Sequence, residues 1–169
     1  SRVYYGVKGM QEAEKDFFKY TLVSKSKRAV MIYSDIPMNE LDSAQTQKLI
    51  SAVTALVGRG VKLNLIHTVN RPMREMLMGL EVWIPIYMTG MISPYYFENA
   101  PSNMFSTMLA TSGAAALSAD CEKSKQHSTR LLVTTKRDDI EYYNKRAKFM
   151  ISKAKPLMKI YTKEQEDAL

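Results

Sequence analysis

One strand–helix–strand pattern constrains the fold more than any other feature of the sequence. Residues 29–33 form a nearly continuous apolar run, which is typical of a strand buried on both faces. An amphipathic helical pattern follows and stops at the Gly58-Arg59-Gly60 segment, because glycine accepts the left-handed backbone of a helix end. Residues 61–66 are again apolar and predict a second strand. Together these elements make a βαβ unit, so the two strands should pair in parallel.

Further helices and strands are predicted around this unit. Two glycines within residues 4–9 indicate a turn. Apolar residues at helical spacing predict helices over residues 10–23, from 73 towards 83, and over 139–154 with Asp138 as the cap. Strands are predicted at residues 106–110, 114–118, 131–135 and 158–161. Residues 92–97 read as an edge strand or an extended loop, because Pro94 has no N–H to donate.

These elements predict an α/β fold with a central mixed, largely parallel sheet flanked by helices. The strands at 29–33, 61–66 and 131–135 are expected to be central. The same order of elements is compatible with one half of a phospholipase-D-like domain. We treat residues 1–169 as a single domain, and we expect its natural N-terminus further upstream because Ser1 takes the place of an initiator methionine.

Composition narrows the class of protein. With 46% hydrophobic and 24% charged residues, the chain has the balance of a soluble globular protein. No apolar run reaches the roughly 18 residues that a membrane-spanning helix needs, and the first residues are too polar for a signal peptide. Cys121 is the single cysteine, which excludes an internal disulfide and favours a cytoplasmic protein. The net charge of +7 favours polyanionic partners in general without identifying one.

Enzyme signatures fail at the positions where their chemistry needs particular side chains. A phospholipase-D-like site uses the motif His-x-Lys-x-x-x-x-Asp. Counted from His67, those places hold Val69 and Arg74; counted from His127, they hold two threonines. Glycine-rich phosphate loops and paired cysteine metal sites are missing from the sequence as well. We therefore expect no catalytic residues, no cofactor and no metal.

The richest polar segment begins at His67, just past the end of a predicted parallel strand. Ligands of open α/β sheets usually bind at this edge, and the first N–H groups of a following helix favour anions. His67, Asn70 and Arg71 are expected to line such a cleft, and Arg71 can hold a carboxylate or phosphate through two hydrogen bonds. The plainer alternative is that Arg71 pairs with Glu75 one turn further along the helix.

A dense aromatic set is expected to form one wall of the cleft. The set comprises Trp83, Tyr87, Tyr95, Tyr96 and Phe97, and the wall is expected to come from Trp83, Tyr87, Tyr95 or Tyr96. Aromatic side chains suit an adaptable pocket or a partner surface, although such a cluster is more often simply part of a core. The cleft would suit a small anion or a protein partner.

Three blocks of the sequence resemble a known family. They are YYGVKG at 4–9 with MIYSD at 31–35, RGVKLNLIHTVNR at 59–71, and the segment from EM at 75–76 through WIPIYMTG at 83–90, closing with PYY at 94–96. These blocks are similar to the long C-terminal region of certain helix-turn-helix transcription regulators of Gram-positive anaerobic bacteria. The resemblance spans most of residues 4–118 and is less clear after Asp120. It implies a regulatory region preceded by a short DNA-binding domain, and it assigns no ligand, reaction or functional residue.

The function expected from these observations is that of a non-catalytic, ligand- or partner-sensing domain of a bacterial transcription regulator. Contact with DNA would run through an upstream domain, contact with membranes is not expected, and homodimerisation stays open. Two alternatives remain: a degenerate phospholipase-D-like phosphodiesterase domain, and a basic module that binds nucleic acid directly.

Overall fold

A mixed eight-stranded sheet carries helices on both faces. The computed structural model describes residues 1–34, 43–68, 90–97, 108–120 and 129–156. Within these ranges the helices are α1 (Gly6–Val23), α2 (Ser43–Gly58) and α3 (Arg137–Lys153). The strands are β1 (Arg2–Tyr5), β2 (Val30–Ser34), β3 (Leu63–Thr68), β4 (Ile92–Phe97), β5 (Met108–Thr111), β6 (Ala116–Asp120), β7 (Arg130–Thr134) and β8 (Lys155–Pro156).

The strand order is β1-β7-β6-β5-β2-β3-β4-β8. Strands β2 and β3 pair in parallel on either side of the α2 crossover, which confirms the βαβ prediction. Strand β3 also pairs in parallel with β4. The three predicted central strands all lie inside the sheet, β7 being one position from the β1 edge.

The α/β class and the mixed sheet are confirmed, but the expectation of a largely parallel sheet is wrong. Five of the seven strand pairs are antiparallel. The expectation extended one βαβ unit to the whole sheet, whereas β5 and β6 are joined by a tight turn of residues 112–115. So short a connection permits only antiparallel pairing, since a parallel pair needs a long crossover.

Strand β4 resolves the ambiguity that Pro94 introduced. It is a regular strand that pairs with β3 over all six of its residues. On its outer side, β8 pairs only with Tyr95 and Tyr96. Pro94 has no partner in β8, so the N–H that proline lacks is not needed for that pairing. Proline is tolerated in a sheet at such unpaired positions.

The two N-terminal glycines act differently from the predicted turn. Helix α1 begins at Gly6 rather than at residue 10, directly after β1. Gly6 has a φ of 73°, a left-handed conformation that lets the chain pass from strand to helix in one residue. Gly9 lies inside the helix, where a Cβ would come within 3.0 Å of the Tyr4 Cβ. Both glycines thus fit α1 closely against β1.

Helix α3 begins one residue earlier than its predicted cap. Lys136 occupies the N-cap position without a side-chain hydrogen bond, so the assignment of Asp138 as the cap is wrong. Asp138 and Asp139 lie in the first turn, where negative charge is favourable to the helix dipole. The Thr134 hydroxyl donates a 2.9 Å hydrogen bond to Asp139. The helix predicted from residue 73 and the strand predicted at 158–161 lie outside the described residues.

Hydrophobic packing occupies both faces of the sheet. On one face, α1 packs over β1, β6 and β7 and shares with α2 a core that includes Val30, Leu63 and Tyr96. On the other face, Ala147 and Met150 of α3 pack against a set that includes Tyr33. Alternation along the strands thus assigns neighbouring residues to opposite layers of the fold.

Candidate functional site

The cleft predicted beyond β3 falls mostly outside the described residues. Asn70, Arg71, Trp83 and Tyr87 all belong to residues 69–89, which the structure does not describe. His67 is placed by its backbone: it lies in β3, in register with Ser34 of β2 and Tyr96 of β4. The grouping of these residues into one site stays a prediction.

The two described tyrosines of the predicted wall lie on opposite faces of β4. Tyr96 is 4% exposed and belongs to the core beneath α1 and α2. Tyr95 is partly buried and packs against the core beneath α3. Adjacent strand residues always diverge in this way, so the two rings contact different layers.

A concave groove of about 750 Å³ lies between α1 and α2. Its apolar lining consists of Phe18, Leu22, Val23, Leu49 and Ala52. Its polar lining consists of Lys8, Gln11, Glu12, Glu14, Lys15, Lys19 and Lys48. An apolar surface with a few charged groups at the rim is the usual composition of a small-molecule site.

The α1 rim of the groove follows from helical spacing. Lys8, Lys15 and Lys19 are separated by seven and four residues, which places them on one face at intervals of about 10 Å and 6 Å along the axis. Lys48 adds a fourth ammonium group from α2. Among the residues that the structure describes, these lysines form no ion pair, so their positive charge is available to a ligand.

Glu14 is the half-buried carboxyl group of the groove. Burial raises its pKa from the usual 4.5 to about 7, because removing a carboxylate from water disfavours its charged form. Within the described ranges no hydrogen bond or ion pair offsets this effect. Near neutral pH the group therefore exchanges between a proton donor and an anion.

Arg59 joins the two helices at one end of the groove. It lies directly after α2, and its guanidinium group donates hydrogen bonds to the carbonyl oxygens of Leu22 and Ser24 at the end of α1. A further bond of 3.4 Å reaches the Thr21 carbonyl. The last carbonyls of a helix lack partners within the helix, so this arginine both caps α1 and fixes α2 beside it.

Sequence reasoning missed this groove although part of its signal was present. Glu12, Lys15 and Lys19 lie between the apolar positions of α1 and are exposed, as an amphipathic helix over 10–23 requires. The pattern does not reveal that α2 lies beside α1, so that these exposed residues of α1 form the rim of a groove. The repetition of lysine at 8, 15 and 19 on one helical face was the available signal.

A second surface, the α3 face, combines exposed aromatic and basic side chains. Tyr142 and Phe149 are 57% and 48% exposed. The Arg146 guanidinium lies 6.0 Å from the Tyr142 ring centre, and the Lys153 ammonium lies 5.6 Å from that of Phe149. Lys145 lies on the same side of the helix and is exposed. Such a combination favours contact with phosphates and with stacked bases.

No group of three or more potential metal-ligating side chains occurs in the described part of the chain. The helices found there are also too short or too polar to cross a membrane.

Comparison with known proteins gives a likeness in structure alone. No family model matches the chain, and no curated protein matches its sequence. Among solved structures, the archaeal chromatin protein TrmBL2, for which a novel mode of DNA binding has been described, is similar with a TM-score of 0.66 and 13% identity. The likeness covers 92% of this chain and 52% of TrmBL2, so the chain spans about half of that protein's length. At this identity the comparison shows a shared fold.

Proposed function

We propose that this chain is the regulatory, non-catalytic domain of a transcription regulator whose DNA-binding domain lies elsewhere in the longer protein. The observation that carries the proposal is the fold likeness, which covers nearly all of this chain but only about half of a DNA-binding chromatin protein. The resemblance of residues 4–118 to a region found downstream of helix-turn-helix domains supports the same division of roles.

Comparing the isolated chain with the intact gene product tests this proposal. Anisotropy titrations with labelled duplexes, at physiological salt, should show that the intact protein prefers one operator sequence. The isolated chain should discriminate between duplexes by less than about tenfold, since net charge alone gives mainly non-specific affinity. Stronger discrimination by the isolated chain would refute the proposed division and favour a self-contained DNA-binding module.

The α3 face favours a second candidate function, direct but non-specific contact with nucleic acid. Its test is the salt dependence of binding, because each phosphate neutralised releases counterions. If this function holds, the variant Lys145→Gln/Lys153→Gln should reduce the slope of log affinity against log salt concentration by about two. The variant Lys25→Gln/Lys62→Gln removes the same charge from exposed residues outside both surfaces and should retain the slope. Equal slopes for both variants would exclude the α3 face.

A further inference from the structure

We propose that the groove between α1 and α2 binds a small amphipathic organic anion, with its apolar body against Phe18, Leu22 and Leu49 and its anionic group among the lysines of the rim. The inference deepens the proposed function, on which it rests, by assigning the ligand class that the regulatory domain senses. Binding itself can be measured on this chain without DNA.

The floor of the groove accounts for the apolar part of the ligand. Phe18 is 9% exposed, and Leu22, Leu49 and Ala52 are partly buried beside it. These side chains come from both helices and pack onto the same core. A ligand lying on them would remove apolar surface from water on both walls at once.

The rim accounts for the charge of the ligand. Lys15 and Lys19 lie one helical turn apart, and Lys48 comes from the opposite wall. The lining contains four lysines and only two carboxyl groups, one of which, that of Glu14, is half-buried. The groove therefore attracts anions, and an anionic group near Lys48 would contact charges from both helices.

Size and charge distribution favour a small molecule over a nucleic acid. Ligand pockets span roughly 300–1,000 Å³, and this groove has about 750 Å³. A phosphate backbone is charged along its whole length, so it would meet Glu12 and Glu14 and leave the apolar floor without a partner. A molecule with one charged end satisfies the floor and the rim together.

The fluorescent sulfonate 1-anilinonaphthalene-8-sulfonate is the probe for the test. Its neutral analogue, N-phenyl-1-naphthylamine, has the same rings without the charge. The full chain should bind the sulfonate at one saturable site, and decanoate should compete with it. Binding of both dyes with equal affinity would refute the role of the rim, and binding without saturation or without competition would refute the site.

Two charge-matched variants locate the binding. Lys15→Gln/Lys19→Gln should weaken sulfonate binding by about fivefold or more and leave the neutral dye unaffected. Lys62→Gln/Lys136→Gln removes the same charge from exposed residues that do not line the groove, and it should change neither dye. Equal losses in the two variants would mean that only the net charge of the protein matters, which would overturn the proposal.

A third variant fills the groove instead of altering its charge. Ala52 is partly exposed on α2, so Ala52→Phe can place a ring in the groove without entering the buried core. We expect it to abolish binding of both dyes while the far-ultraviolet circular dichroism stays that of wild type. Retained binding in the folded variant would refute the location.

The pH dependence gives an independent readout. Glu14 lines the same groove as Lys8, Glu12, Lys15 and Lys19 of its own helix and Lys48 of α2. The sulfonate keeps its charge between pH 6 and 8, whereas Glu14 titrates in this range. Affinity should therefore fall as the pH rises, and Glu14→Gln should flatten the profile. Wild-type affinity that is independent of pH would show that the anion does not lie near Glu14.

Failure of the two proposals would look different. If the dyes bind as expected but decanoate leaves operator binding by the intact protein unchanged, the site stands and the proposed regulatory role is wrong. If operator binding requires the upstream domain but the dyes do not bind here, the division of roles stands and the groove is not the sensor.

Discussion

Glu14 carries a carboxyl group into the apolar groove, and the energetic consequence depends on pH. Its folded pKa of about 7 lies above the usual 4.5, so between these values the folded state binds more protons than the unfolded state. Stability therefore falls as the pH rises through this window, and the loss is complete above it.

The variant Glu14→Gln should remove this dependence. We expect it to be more stable than wild type by about 3 kcal/mol at pH 8, because raising the pKa from 4.5 to about 7 costs about 1.4 kcal/mol per unit, and to be nearly equal in stability at pH 4, where both side chains are mostly neutral. Urea unfolding at the two pH values measures the difference. Glu12→Gln is the matched control on an exposed residue of the same helix and should change little. A constant offset for Glu14→Gln at both pH values would contradict the prediction.

Thr111 is fully buried in β5. Its hydroxyl oxygen has no hydrogen-bond partner within the part of the chain that the structure describes. Burying a hydroxyl group without a partner is costly, so Thr111→Val, which keeps the shape, should stabilise the protein by about 1 kcal/mol. Thermal unfolding measures the effect. Thr134→Val is the contrast, because the Thr134 hydroxyl donates to Asp139 and its loss should destabilise. A destabilising Thr111→Val would mean that the hydroxyl has a partner.

For single residues, the sequence predicted solvent exposure better than it predicted which other elements a side chain contacts. In the predicted helix over 10–23, the apolar residues Ala13 and Phe17 are buried and Lys15 is exposed, but Tyr20, which has the same helical spacing, is 43% exposed. The helical pattern gave no sign that Glu14 lies beside a second helix, because the packing of α2 against α1 depends on long-range contacts. Tyr95 and Tyr96 were predicted to line the same cleft, because residues 92–97 could be a strand or a loop; in the regular strand β4 the two side chains lie on opposite faces.

The turn between β5 and β6 connects helices on both faces of the sheet. The hydroxyl groups of Ser112 and Thr21 of α1 hydrogen-bond at 2.9 Å. On the other side, the Asn144 amide of α3 donates to the Ser112 carbonyl at 3.0 Å and to the Ile140 carbonyl at 2.9 Å. A buried turn needs such partners because its carbonyls do not reach water.

Replacing Asn144 tests this connection. Asn144→Leu leaves the Ser112 carbonyl buried without its donor, so we expect a loss of about 2 kcal/mol in the free energy of unfolding. The exposed substitution Lys145→Leu on the same helix should cost much less. Urea unfolding of both variants provides the comparison, and equal losses would show that the amide contributes nothing particular.

Elements defined by local patterns were predicted well, and their arrangement was not. The βαβ unit and α3 follow from periodicity and turn residues, and the strands predicted at 106–110 and 114–118 are present as β5 and β6 with bounds of 108–111 and 116–120. The predominance of antiparallel pairs depends on which strands meet, for example β5 beside β2 and β1 beside β7. These pairings join residues far apart in the sequence, and no local pattern encodes them.

For the whole molecule, the shared fold does not by itself assign a chemistry. We expect no hydrolysis of a generic phosphodiester by the pure protein, because Val69 and Arg74 occupy the places where a phospholipase-D-like site needs lysine and aspartate. A chromogenic diester assay measures this directly. Turnover that is abolished by His67→Ala would contradict the prediction, whereas turnover unaffected by that substitution would indicate a contaminant.

The strand order also sets a distance across the molecule. Strands β1 and β8 form opposite edges of the sheet, and seven spacings of about 4.8 Å put them about 34 Å apart. Energy transfer between two dyes is sensitive to changes at this range. Dyes attached to Val3→Cys and Pro156→Cys, in a Cys121→Ser background, would therefore report the distance between the two edge strands. The transfer efficiency, followed during denaturation, would show whether the distance between β1 and β8 increases in one transition or in several.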